Sequence, residues 1–421
     1  MLRIVHTADW HFEADKIDKC QASADFIVDK LQELKPDLHV IAGDYWNRRQ
    51  TLTKLSAVIP ALETMRQLAE ISPIVLIYGN EAHDAAGSYE IFRNLDTAFP
   101  IYVTDRAETM LLMEDGGRIW FRAQPHRGVA GANMTKAVLH LFPYPTKQWF
   151  LAGKENLSID ESNQIIQDAL RKIFTGFGAV SMEAKCPVIF VGHCNVSGAI
   201  LSSGQTLLGQ DIMVSKHDLE LARADYYALG HIHKAQSFGD RIWYSGSTYH
   251  CNFGEVEKKS FNLLNFSEKT IPAREFLKFG GTQVPDKVVR TCSVDQIDIP
   301  SRPLSLHECE YVDGGLGPAL SDVNGACTPC DWTDAELRIR VHLTKEQSRI
   351  VTDEDAKGMY PGAFSYQIER IITPEERIRS SEIVKAKTLP EKVLEWGNSI
   401  QKEIHPDVLT LAGDVERSVT L

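Results

Sequence analysis

Five short segments of the 421-residue chain set hard or borderline metal ligands directly after an apolar, β-branched run: Asp9-Trp10-His11, Gly43-Asp44, Gly79-Asn80 with His83-Asp84 just beyond, Gly192-His193, and Gly230-His231-Ile232-His233. Asp, Asn and His together suit manganese, iron or zinc, and a carboxylate placed between two ions can bridge them. Two ions about 3.5 to 4 Å apart stabilise both the attacking and the leaving oxygen of an in-line phosphoryl displacement. Any one segment is weak, because Asp-x-His arises by chance and a lone histidine is more often a packed or surface residue than a ligand. Five in order, each at a strand end, are strong. In an open α/β sheet ligands bind beyond the carboxyl ends of the strands, so loops from residue 9 to residue 233 would meet in space. Glycine just before Asp44, Asn80, His193 and His231 is expected to permit a sharp turn beside the ligands.

The elements that must position these loops follow from periodicity. Residues 2–6, 38–42, 74–78, 188–191 and 226–229 read as buried strands, and 20–34, 52–69 and 156–174 carry helical spacing, the first with Ala24, Ile27, Val28 and Leu31 on one face. Residues 176–185 read as an exit loop. Strands alternating with helices predict an α/β fold over the first 270 residues. Beyond that the character changes. Residues 281–335 are rich in Pro, Gly, Asp and Cys, with a turn signal at Asp313-Gly314-Gly315. Residues 337–343 alternate as a half-buried strand, a short helix is expected near 354–357, and 365–372 reads as another strand, together a small α+β module. The tail, 388–404, places Leu389, Val393, Trp396, Ile400 and Ile404 on one helical face, suited either to a partner's groove or to its own domain.

The formal net charge is −12. That field repels nucleic acid over most of the surface and counts against a passive DNA coat, but not against an enzyme whose grip on phosphate comes from bound cations. The longest uncharged apolar stretches, 73–78 and 187–192, are strand-length and too short to cross a bilayer. The chain enters a polar loop by Thr7, so no signal peptide is expected and a cytoplasmic location is. Eight cysteines without a dense framework are expected to be buried thiols or metal ligands rather than bridges.

The ordered ligand segments resemble those of the calcineurin-like metallophosphoesterase superfamily. Within it, Asp225 to Lys234 (Asp-Tyr-Tyr-Ala-Leu-Gly-His-Ile-His-Lys), Tyr244-Ser245-Gly246-Ser247, and Phe253-Gly254-Glu255 before Lys258 and Lys259 are similar to the SbcD-type nucleases. The resemblance implies a layered sheet sandwich flanked by helices over residues 1–270, a smaller α+β capping domain at 271–380 and a helical partner-binding segment at 381–421. It implies that Asp9, His11 and His233 hold one divalent ion, that Asp44 bridges, and that Asn80, His193 and His231 hold the other, manganese being the expected metal. It further implies a DNA exonuclease and endonuclease, working as a homodimer within a heterotetramer with an SbcC-like coiled-coil ATPase. Another phosphoesterase, or a scaffold that keeps the fold without the chemistry, would share the same ligands.

The family uses a histidine directly after the Asn to stabilise or protonate around the scissile phosphate. Here the order is Gly79-Asn80-Glu81-Ala82-His83-Asp84, with two extra residues. Three outcomes are open: the loop bulges and returns His83 to the catalytic place, the register follows His83-Asp84 and leaves Ala82 at the ligand position, or Glu81 falls where the histidine belongs. Asp84 is read either as orienting a neighbouring backbone or His, or as a turn cap. Lys234, beside the last His, is the phosphate-binding candidate. Arg122, His126, Arg127 and Lys136 could form a basic rim for DNA. His307, Cys309, Cys327 and Cys330 have the chemistry for zinc, against free thiols in an insert.

Overall fold

The computed structural model describes residues 2–48, 53–123, 134–202, 212–255, 257–271, 287–302, 304–312, 314–318, 333–373 and 381–419. The chain divides into two units, Met1–Leu304 and Ser305–Leu421. In the first, β1 (Leu2–Thr7), β2 (Leu38–Ile41), β3 (Ile74–Ile77) and β4 (Ile101–Thr104) lie parallel, and β14 (Lys259–Ile271) and β15 (Lys287–Ile299) extend the sheet antiparallel from β1. The second sheet holds β5 (Glu108–Asp115), β6 (Arg118–Ala123), β7 (Thr135–Phe142), β8 (Val188–His193), β11 (Tyr226–Gly230), β12 (Gln236–Phe238) and β13 (Ile242–Tyr244), in the order β12-β13-β11-β8-β7-β5-β6. A two-residue pair, β9 (Asn195–Val196) and β10 (Met213–Val214), stands apart.

Side chains alternate across a strand, and here both faces are apolar. Ile4, Val40 and Val75 of the first sheet meet Ile189, Val191 and Ala228 of the second. Val5, Ile41 and Leu76 point the other way, under Ala24, Ile27 and Leu31 of α1 (Ile17–Leu34) and Ala61 and Met65 of α2 (Leu55–Ala69). The far face of the second sheet, including Val188 and Phe190, packs on Ile166, Leu170 and Phe174 of α4 (Ile159–Glu183), which follows the short α3 (Lys147–Leu151). The layers therefore run helix, sheet, sheet, helix, the sandwich the sequence led us to expect. Among the described residues no helix is long and apolar enough to cross a membrane.

Residues 176–183, expected as an exit loop, continue α4, which opens on a capping box between Ser158 and Glu161. Gly178 is not a stop signal: a Cβ there would lie 2.1 Å from the Leu221 carbonyl oxygen, so the glycine lets the helix pass close to the loop after α5 (Lys216–Glu220). The stretch read as turn-rich, 281–335, holds β15, β16 (Leu304–Val312) and β17 (Gly315–Pro318).

The second unit has the sheet order β17-β16-β18-β19, with β18 (Glu336–Leu343) and β19 (Ser365–Ile372) parallel across a connection containing α6 (Asp353–Gly358). Leu337, Ile339, Val341 and Leu343 alternate into its core with Cys309, Ala356 and Tyr360. After α7 (Ser381–Lys385) the tail differs from its expected single helix: α8 (Leu389–Ser399) ends at Ser399, and α9 (Pro406–Val419) follows. A Cβ on Gly397 would stand 2.4 Å from Ile404 Cγ1, so Ile404 folds back over α8 instead of extending its apolar face.

His140 on β7 stacks on Phe177 with ring centres 4.6 Å apart and hydrogen-bonds the Thr109 and Ser181 hydroxyls, each at 2.9 Å. Burial pulls its pKa down to about 3. The unfolded chain, titrating near 6.5, takes up a proton that the folded chain refuses, so this contribution is full above pH 6.5 and lost as pH falls towards 3. Between pH 7 and pH 5 the loss is about 2 kcal/mol for one such histidine. Urea midpoints measured at both pH values should move less in His140→Gln than in the parent; an equal shift in both would contradict the assignment.

Candidate metal centre

The carboxyl ends of β1, β2, β3, β8 and β11 deliver the expected loops to one place, and backbone hydrogen bonds tie them together. Asp9 N–H donates to the Gly43 carbonyl at 3.1 Å and His11 N–H to the Asp44 carbonyl at 3.0 Å. His231 N–H donates to both Asp9 carboxylate oxygens, at 3.0 and 3.1 Å, and Asn80 N–H to Asp44 Oδ1 at 2.7 Å. Asp9, His11, Asp44 and His231 all have positive φ, between 47° and 96°. That region is sterically unfavourable for side chains other than glycine, and such strain gathers where surrounding contacts over-determine a functional site.

The glycines act mostly through space rather than turning. Of the four that precede candidate ligands, Gly43 takes a positive φ, 86°, and Gly79, Gly192 and Gly230 do not. At Gly79 a Cβ would lie 2.0 Å from Asp44 Oδ1. Any larger residue would therefore push the β3 loop off the carboxylate.

Asp44, 2% exposed, is the hub. Its Oδ2 is 3.3 Å from His193 Nε2 and 4.0 Å from both His11 Nε2 and His83 Nε2. Asp9 Oδ1 is 4.0 Å from His11 Nε2, which faces His233 Nε2 at 2.9 Å. Among the described residues, three groups each bring their ligand atoms within 4.8 Å of one another: His11, His233 and Cys251; His11, Asp44 and His83; and Asp44, His193 and His231. Burial pushes the Asp44 carboxyl up, but His193 and His83 outweigh it and hold the group well below the usual range. Burial pulls His193 down, yet the Asp44 charge lifts it to about 9. For His11, burial with His233 and His83 nearby drives the pKa well below normal.

This arrangement fits divalent ions. His193 donates from Nδ1 to the Ala42 carbonyl at 2.7 Å, which aims its Nε2 at Asp44; that buried nitrogen and His11 Nδ1 have no hydrogen-bond partner. Two ring nitrogens 2.9 Å apart, as in His11 and His233, have the spacing of neighbouring ligands on one ion at about 2.0 to 2.1 Å from each. Nitrogen and carboxylate oxygen together make a donor set for a borderline transition ion.

The two-residue insert forms a turn in which the His83 and Asp84 N–H groups both donate to the Asn80 carbonyl. Glu81 and Ala82 are exposed, and His83, 31% exposed, hydrogen-bonds the Asn47 carbonyl through Nδ1 with Nε2 turned to Asp44. Asn80 stays beside Asp44, its side-chain oxygen accepting Ala82 N–H at 2.9 Å. Asp84 is a backbone clamp: its carboxylate accepts N–H from Gly79 at 2.8 Å, Asp44 at 3.0 Å and Trp46 at 3.2 Å, and the Tyr89 hydroxyl. Burial, reinforced by the Asp44 charge, lifts Asp84 to about 7.

Lys234 is half-buried directly after His233. Arg122 is exposed on β6, and Lys136 pairs with Glu114 at 2.6 Å, while His126 and Arg127 lie outside the described residues. Cys327 and Cys330 also lie outside them. The His307 ring packs at a tilt against Tyr360, whose hydroxyl is 3.4 Å from Cys309 Sγ. Two neighbours of the centre were given no role in it from sequence. The Tyr144 ring packs 5.5 Å from His231 and 6.0 Å from His193, and the strand-end rule applied to β7 would have found it. Glu255 hydrogen-bonds His233, and no local spacing signals that contact.

Asp84→Ala would leave three backbone N–H groups without their acceptor, each unmade bond costing about 1 to 3 kcal/mol. Chemical unfolding should show a loss of at least about 2 kcal/mol; an unchanged midpoint would contradict the clamp.

A family model for calcineurin-like phosphoesterases matches residues 2–235. Among curated proteins the chain is similar to the SbcD subunit of the SbcCD nuclease from Escherichia coli strain K12, 25% identical over 302 residues that cover 67% of this chain and 69% of that protein. It is also similar to the protein of the same name from Staphylococcus saprophyticus, 24% identical over 280 residues covering 64% of this chain and 67% of that one. With the family match spanning more than half its length and the strand-end ligands gathered on the matched sandwich, the chain belongs to the calcineurin-like phosphoesterase family and is a phosphoester hydrolase.

Proposed function

We propose that the protein is a two-metal DNA nuclease of the SbcD type. The observation that carries this reading is the gathering of Asp9, His11, Asp44, Asn80, His83, His193, His231 and His233 from five strand ends around one buried carboxylate. The named relatives, both nuclease subunits, support DNA as the substrate. Asp9, His11 and His233 would hold one ion, Asp44 would bridge, and Asn80, His193 and His231 would hold the other; manganese would suit this mixture of imidazole and oxygen donors. When bound, the ions supply positive charge to the phosphate oxygens and an acidified water.

The residues do the rest. Asp44 receives its place from Asn80 N–H and from Asp84, so it cannot swing away. His83, anchored through Nδ1 on Asn47, keeps Nε2 free to stabilise or protonate a phosphate oxygen from a position open to solvent. Lys234 adds charge beside the phosphodiester. The protein cuts DNA internally and from ends, in end processing, repair or recombination in the cytoplasm, as a homodimer bound to an SbcC-like coiled-coil ATPase. The net charge of −12 accords with a subunit that relies on cations and a partner to hold DNA.

End-labelled linear and hairpin DNA incubated with the purified protein and manganese tests this. Wild type should cleave, His231→Ala should lose cleavage, and His83→Ala should keep its metal while turnover falls by about 100-fold or more. Wild-type protein that holds metal but leaves both DNAs intact, even with its ATPase partner present, would sink the nuclease reading.

A further inference from the structure

Glu255 and Lys259 are buried charged side chains, 0% and 1% exposed, that the proposed reaction does not use. Every polar atom of Glu255 is engaged. Oε1 accepts His233 Nδ1–H at 2.7 Å and the Asn252 amide at 2.8 Å. Oε2 accepts Lys259 Nζ–H at 2.7 Å, Cys251 N–H at 3.0 Å and the Ser247 hydroxyl at 3.4 Å. Lys259, fixed in β14 opposite Ile299, also donates to Glu257 and to Ser247 Oγ, each at 2.9 Å. Together these contacts tie His233 to the first sheet.

Stability alone does not explain the pair. Withdrawing two charges from water costs several kcal/mol per ion, and apolar replacements of similar volume are often neutral or stabilising. The consequence at His233 is specific: with Oε1 fixed against Nδ1, the neutral ring carries its proton on that nitrogen, and the lone pair that could bind an ion falls on Nε2. Nε2 faces His11 Nε2 at 2.9 Å. A carboxylate on the far nitrogen of a liganding imidazole fixes its tautomer and raises its basicity.

We infer that Glu255, held by Lys259, is a positioning residue that locks the tautomer and aim of His233 and so sets the affinity of the His11–His233 position for its ion. This rests on His233 being a ligand, and the experiment separates the two claims. Full-length protein is titrated with Mn2+ in a calorimeter, comparing wild type with Glu255→Gln/Lys259→Met, His233→Ala and His193→Ala. The double substitution replaces an acceptor-only carboxylate with an amide that can turn either its oxygen or its NH2 to Nδ1, so the tautomer is no longer fixed, and it strands no buried ammonium. One of two binding events should weaken by about 10- to 100-fold. It should be the event that His233→Ala removes, and the event that His193→Ala removes should be unchanged. A purely structural pair would lower the melting temperature and leave both affinities alone, which overturns the inference while His233→Ala still deletes one event. If His233→Ala leaves both events intact, the ligand assignment fails and the inference with it. Should the double variant not fold, Glu255→Gln alone decides by the same comparison.

Discussion

The Asp44 carboxylate sits out of water among imidazoles, with Asn80 N–H on one oxygen and His193, His11 and His83 around the other. An anion buried this way must be compensated, because desolvation otherwise drives it to take up a proton. Its surroundings answer to that need. Gly79 brings the β3 loop against the carboxylate, Asp84 grips the backbone on both sides of the contact, and the Ala42 carbonyl accepts His193 Nδ1–H and so aims His193 Nε2 at Asp44.

Several of these arrangements are unfavourable taken singly. Four candidate ligands adopt left-handed backbone, and two of the candidate ligands, His11 and His193, each have a buried ring nitrogen with no hydrogen-bond partner. Metal binding is coupled to folding in such a site, since the ligands are assembled in the folded chain and scattered in the unfolded one. The two-sheet core makes the assembly rigid: Ile4, Val40 and Val75 lock against Ile189, Val191 and Ala228 a few residues upstream of the loops they carry. Packing precision at the strand ends becomes ligand precision beyond them.

Much of this was legible because the chemistry repeats one device, an apolar run followed by a polar ligand, and both signals are local. Short, continuous apolar runs rich in β-branched residues marked β1, β2, β3, β8 and β11 and therefore the loops beyond them. The helix through Gly176 and Gly178 was hidden because glycine signals both a chain break and a close approach, and the sequence does not show Leu221 lying against residue 178. The same ambiguity concealed the end of α8, where Gly397 admits Ile404. Glycines expected to turn the chain beside the ligands mainly make room for it. Glu255 was invisible for another reason: its bond to His233 crosses 22 residues, and only the fold brings the Phe253-Gly254-Glu255 segment under the imidazole.

The central claim is that five strand ends build two metal positions sharing Asp44. Crystals grown with manganese and measured at its absorption edge test it most directly. The account predicts two anomalous peaks about 3.5 to 4 Å apart with Asp44 between them, one beside His11 and His233 and the other beside His193 and His231. A single peak, or none at full manganese saturation, would contradict it.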